Sequence, residues 1–128
     1  MKKFVALFLA IVVFIFFISG CSGKQELTVD EILGILDNEG ISYEEREVHP
    51  SEELSKTVEN YVYELEEGRF RIHFFSSVDD RMEVEKDPYP AAIFMPNASY
   101  SKDKILLYYV AGNEALVEKL DKAFEGWN

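Results

Sequence analysis

Cysteine occurs once in these 128 residues, at Cys21. A lone thiol can close no intramolecular disulfide and can build no thiolate zinc site. Histidine is almost as scarce: only His49 and His73 could serve as the base of a nucleophilic pair, and neither sits in a nucleophile motif such as G-x-S-x-G. The seven glycines are scattered, and none forms G-x-G-x-x-G or G-x-x-x-x-G-K-[ST], so the phosphate cradles built on those loops are excluded. Positive charge is short as well. Thirteen Lys and Arg stand against 24 Asp and Glu, a formal charge of −11. Such a surface repels nucleic acid and anionic polymers and, by its net field, favours cationic partners such as basic peptides, polyamines or divalent metals. No internal repeat, low-complexity tract or second shift in composition marks a further domain.

What the chain has in quantity comes first. Met1, Lys2 and Lys3 make a positive start, and residues 4–18 (FVALFLAIVVFIFFI) are fifteen apolar positions without a break. That is less than the roughly 20 residues needed to span hydrocarbon. A buried core helix would need a polar face or complete enclosure, and this run has no polar face. Its pattern is that of the apolar part of a secretion signal. Residues 22–26 (SGKQE) follow as a short polar spacer.

Ile18-Ser19-Gly20-Cys21 resembles the lipobox of bacterial lipoproteins, in which an aliphatic and two small residues precede a cysteine. The resemblance implies diacylglycerol on the Cys21 sulfur, with or without an N-acyl chain. It also implies cleavage by signal peptidase II between Gly20 and Cys21, and a mature protein held on the outer side of the cell membrane. No other cofactor is expected. Residues 1–20 are then the signal peptide, 21–27 the lipidated cysteine and linker, and 28–128 one extracytoplasmic domain. Loss of Lys2 and Lys3 leaves 11 basic residues against 24 acidic, so the formal charge goes from −11 to −13. Two or more acyl chains anchor stably where a single one holds marginally. If the leader stayed uncut it would still tether the domain, with Lys2 and Lys3 on the cytoplasmic side.

Within the domain, Thr28-Val29-Asp30-Glu31 has the form of a capping box, and Val29, Ile32, Leu33 and Leu36 recur at helical spacing. Gly40 suits the left-handed stop. Residues 41–48 read as extended until His49-Pro50 breaks them. Residues 57–65 and 69–76 read as a hairpin around Glu66-Glu67-Gly68. On its second strand Phe70, Ile72 and Phe74 take one face; Arg69, Arg71 and His73 take the other, expected to be at least partly wet. Residues 77–87 fit a short acidic helix capped by Ser77, or a loop. Residues 91–95 (AAIFM) are expected to be a strand, 96–103 a turn-rich link, and 104–110 (KILLYYV) a central strand apolar on both faces. Asn113 should cap a last helix carrying Leu116, Leu120, Ala123, Phe124 and Trp127 along one stripe. This order predicts an α+β fold: a small two-layer sandwich, a mainly antiparallel sheet with N- and C-terminal helices. The run from "YELEEGRFRIHFFSS" to "KILLYYVAGNEALVEKLDKAF" is similar to small extracytoplasmic lipoproteins of Bacillus-type bacteria. That likeness implies a compartment and an element order, and no functional residues.

Candidate sites are few. Asp79, Asp80 and Glu83, in the acidic stretch 79–87, are the residues that could hold a divalent metal or a cationic ligand. The stretch lacks a D-x-[DN]-x-[DN]-G loop, Arg81 and Lys86 interrupt it, and a solvated helix face is its ordinary use. Tyr89, Tyr100 and one of Tyr108 or Tyr109 lie near expected loops and strand ends, where rigid amphipathic rings serve binding; Tyr89 and Tyr100 are the ligand-binding candidates. Both histidines are expected at the surface or a sheet edge. Asn97-Ala98-Ser99 matches a glycosylation sequon, an accident if the chain is bacterial. The sequence therefore points to a non-enzymatic, membrane-anchored envelope module that binds a protein or peptide, with cation binding at residues 79–87 as the alternative.

Overall fold

The computed structural model describes residues 27–86 and 95–128. Helix α1 (Val29–Asn38) starts where the Thr28 hydroxyl accepts the Glu31 amide at 3.2 Å, with Asp30 and Glu31 in the first turn complementing the helix dipole. It ends at Gly40, whose φ of +70° lets the Ile41 amide return to the Leu36 carbonyl at 3.0 Å. That turn delivers Ile41 to the same core as Ile32 and Leu36. A short strand β1 (Glu44–Arg46) and a single 3₁₀ turn, Pro50–Glu52, lead into the hairpin of β2 (Thr57–Glu64) and β3 (Arg69–Phe75). Helix α2 (Val78–Lys86) follows, then strands β4 (Ala98–Lys102) and β5 (Ile105–Val110), and finally helix α3 (Glu114–Ala123).

The five strands form one sheet in the order β1-β2-β3-β5-β4, every neighbour antiparallel. The fold is therefore α+β, as the element order predicts. β5 is paired on both sides, with Phe70 opposite Tyr109 and Ile72 opposite Leu107 across β3, which explains a sequence apolar on both faces. Asp103, at φ +51°, turns the chain between β4 and β5; aspartate tolerates the left-handed region better than most side chains.

One face of the sheet carries the main core. Tyr63, Phe70, Ile72, Leu107 and Tyr109 meet Ile32 and Leu36 of α1 and Leu116 and Leu120 of α3. Phe124 lies at its centre, 5.7 Å from the Phe70 ring, 5.2 Å from Tyr100 and 5.1 Å from Trp127. The opposite face is covered at one end by α2, whose Val84 packs with Leu54, Phe75, Leu106 and Tyr108. Helix α2 has no apolar stripe. It is fastened by Arg81, which donates to the Asp103 carbonyl at 2.8 Å and pairs with Glu85 at 2.6 Å. Among the described residues no helix is long and apolar enough to cross a membrane.

Two expectations are corrected. Residues 98–102, expected within a turn-rich link, are strand β4. Its Ala, Ser and Lys content reads as loop, but β5 supplies the ladder on one side, and on the other Ser101 and Asn128 exchange two main-chain bonds at 2.9 and 3.0 Å. The second face of β3, expected to be at least partly wet, is half-buried at Arg69 and buried at Arg71 and His73. The expected strand at 91–95 lies outside the described residues except for Met95, which is in no strand.

Candidate functional site

Alternation along β3 puts Arg69, Arg71 and His73 on the face away from α1 and α3, and the register extends each into a row across the sheet. One row is Glu44, Glu64, Arg69 and Val110; the next is Arg46, Val62, Arg71, Tyr108 and Ser99; the third is Asn60, His73, Leu106 and Ser101. Arg69 and Arg71, from the first two rows, form the floor of a cleft of about 530 Å³, and the turn Pro50–Glu52 stands beside them as a wall.

That turn is bound to the floor by arginines. The Arg71 guanidinium donates to the Glu52 main-chain carbonyl. Arg46 pairs with the Glu52 carboxylate at 2.6 Å and with Glu64 at 2.9 Å. The His49 amide adds a third tie, donating to the other Glu52 oxygen at 3.1 Å. Burial works against ionising Glu52, yet the bond from Arg46, the His49 amide and the charge of Arg71 together hold its carboxyl below the ordinary value. Burial pushes the Arg71 pKa down, and the Glu52 charge opposes the shift. Arg71 is 6% exposed, and its Nε is buried with no hydrogen-bond partner.

The far wall comes from the ends of β4 and β5. Asn97 accepts the Gly112 amide at 2.8 Å and donates its own main-chain amide to the Tyr109 carbonyl at 2.7 Å, fastening one strand end to the other. Met95, Val110 and Ala111 make this wall apolar, and the Met95 side chain stands 88% exposed. The cleft is thus cationic on its floor, apolar on one wall and polar on the other.

In the third row His73 is fully buried in the interior of the sheet, at neither the surface nor an edge, contrary to the sequence reading. Its Nδ1 meets the Asn60 side-chain oxygen at 2.6 Å, its ring lies 5.9 Å from Tyr108, and its Nε2 has no partner. Burial, and after it the positive Arg71, push its pKa well below 6.5. The folded chain therefore refuses a proton that the unfolded chain accepts near pH 6.5. Stability from this group is complete above that pH and is lost as the pH falls from about 6.5 towards the folded-state value, by up to about 1.4 kcal/mol per pH unit. Urea unfolding at pH 7.5, 6.5 and 5.5 should show this decline. His73→Gln, though less stable throughout, should lose the slope in that window; an unchanged slope in the variant would place the titrating group elsewhere.

The sequence-derived candidates fare unevenly. Tyr100 is 7% exposed, packs on Phe124 and donates to Asp121 at 2.5 Å, so it is a core residue and offers no ring to a ligand. Tyr108 and Tyr109 are buried too. Tyr89 and Cys21 lie outside the described residues, as does Gly20. Asp79 and Glu83 are exposed on α2. Asp80 accepts the Ser76 hydroxyl at 2.9 Å, and Lys56 reaches both Asp80, at 3.9 Å, and Glu83. With a lysine between two of the three carboxylates, they are not gathered as ligands, and among the described residues no group of three or more His, Cys, Asp or Glu is arranged to hold a metal ion. His49 alone of the histidines is exposed, on the rim of the cleft.

Sequence reasoning passed over Arg46, Glu52, Arg69, Arg71 and Asn97 as a set. The one local signal was the alternation that put two arginines on one face of an otherwise apolar strand. The chain matches no family model, no curated protein and no solved structure.

Proposed function

We propose that this chain is a lipid-anchored, extracytoplasmic binding module of the cell envelope, tethered through Cys21 and presenting the domain of residues 28–128 to a protein or peptide. The observation that carries the reading is the sequence Ile18-Ser19-Gly20-Cys21 behind fifteen apolar residues, with a folded, acidic domain after it. The cleft supports binding over catalysis, because Glu52, the one carboxylate in its lining, is held by Arg46 and is not free to act as an acid or base. A diacylglyceryl anchor also suits a small module, since two chains hold it at the membrane without any spanning helix.

The test is intact mass and fractionation. The wild type should come from the membrane fraction with Cys21 as its first residue and a diacylglyceryl adduct. Cys21→Ser should lack the adduct and keep residues 1–20. Recovery of both full-length from the cytosol would overturn the anchor, and pull-down from solubilised envelope that returns nothing beyond an unrelated acidic lipoprotein would overturn the partner.

A further inference from the structure

The net charge of the chain argues for cationic partners, but the cleft is built the other way. Of the arginines and carboxylates in these rows and the turn, Arg69, Arg71 and Glu52 line the cleft, two cations against one acid, while Arg46, Glu44 and Glu64 lie outside its lining. Glu52 and Glu64 are both held by Arg46. Glu64 lies directly opposite Arg69 in the ladder, yet its partner at 2.9 Å is Arg46, and Arg69 has no ion pair among the described residues. Below it, the nine-tenths-buried Arg71 keeps an Nε without a partner. A buried guanidinium with an unmade bond is costly unless something else meets its charge.

From this arrangement we infer that the cleft receives a carboxylate on an apolar body: the acid group against Arg69, over the field of Arg71, and the body along Val110, Ala111 and Met95. This rests on the reading of the chain as a binding module and names the ligand chemistry. Arginine suits the task because its planar fork meets a carboxylate with two parallel bonds. The volume of about 530 Å³ lies within the range of small-molecule sites. The overall charge of the chain does not forbid it. Exposed charges are screened beyond about 8–10 Å at physiological salt, so within the cleft the local arginines outweigh distant carboxylates. The same chemistry is carried by a free small acid and by the C-terminal residue of a peptide.

The experiment uses the full lipidated chain in detergent micelles, labelled with ¹⁵N-arginine, its Nε–H signals assigned by single Arg→Lys changes. The probes are acetyl-Ala-Leu with a free C-terminus, the same peptide as its amide, acetyl-leucine and sodium sulfate. Saturable shifts at Arg69 and Arg71 with the free acid, absent with the amide and absent at Arg81, are expected. Arg69→Gln, a change at a half-buried site outside the core, should weaken that binding about tenfold or more. A response to the dipeptide acid alone identifies a peptide terminus, and a response to acetyl-leucine as well identifies a small acid; either supports the assignment. No response up to about 10 mM, equal responses to amide or sulfate, or an Arg69→Gln chain that binds unchanged would overturn it. These outcomes are independent of the anchor: a correctly acylated, membrane-bound chain that ignores every acid defeats the cleft assignment alone. A cytosolic chain that binds the acid defeats the anchor alone.

Discussion

Gly112→Ala should destabilise the domain by about 3 kcal/mol, although it adds one methyl group. A Cβ at this position would lie 1.9 to 2.3 Å from Cζ, Oη and Cε2 of the Tyr109 ring. Such an overlap is harmless where the ring can swing aside. Tyr109 cannot: it is fully buried, its hydroxyl donates to the Glu67 carbonyl at 2.6 Å, and it accepts the Asn113 amide at 3.1 Å. The main chain at 112 cannot retreat easily either, since Asn97 holds its amide at 2.8 Å. Urea unfolding should show a lower midpoint at unchanged m. The cause is checked by a cycle with Tyr109→Leu, in which the double variant should be more stable than the two single losses would sum to. A single-variant loss below about 0.5 kcal/mol, the ordinary range for surface changes, would mean that the loop after β5 is looser than its bonds imply.

The second large effect is at Phe124. Its side chain is 1% exposed and touches the rings of Phe70, Tyr100 and Trp127 at centroid distances of 5.7, 5.2 and 5.1 Å. Phe124→Ala removes the transfer energy of the ring and leaves a cavity that α3 and the sheet cannot close, a loss of about 3–5 kcal/mol. For a domain of this size, total stability is of the order of 5–10 kcal/mol, so the variant should be largely unfolded in moderate urea. Far-UV circular dichroism is the suitable probe, because Trp127 emission would change from the lost contact alone. Val58→Ala, at a residue 62% exposed, is the control and should shift the midpoint little. Equal midpoints for the two variants would show that the core does not centre on Phe124.

Local signals read correctly wherever the physical cause was local. Thr28 and Asn113 cap helices because a short oxygen-bearing side chain reaches an amide two or three residues on, and both bonds are present at 3.2 and 2.9 Å. Gly68, at φ +80°, turns the hairpin that the sequence places between residues 65 and 69. Strand β4 was illegible because its pairing partner is β5 and its outer edge is met by Asn128, neither of which its own composition announces. His73 was misplaced for a related reason: alternation tells which residues share a face, not whether another element covers that face. Tyr100 reads as a loop aromatic in the sequence, but its place in β4 turns it onto Phe124.

By itself the sequence determined the apolar run at 4–18, the Ile18-Ser19-Gly20-Cys21 motif that motivates the proposed anchor, the α+β element order and the acidic balance of the chain, since each is read along the polymer without reference to its folding. The cleft was decided only by tertiary structure. Arg46, Glu52, Arg69, Arg71 and Asn97 come from β1, the 3₁₀ turn, β3 and the approach to β4, and they meet because strand register and the Glu52 turn bring separate segments together. Charge summed over a chain carries no positions, so a net −11 could conceal a cleft lined by Arg69 and Arg71 against the single carboxylate of Glu52.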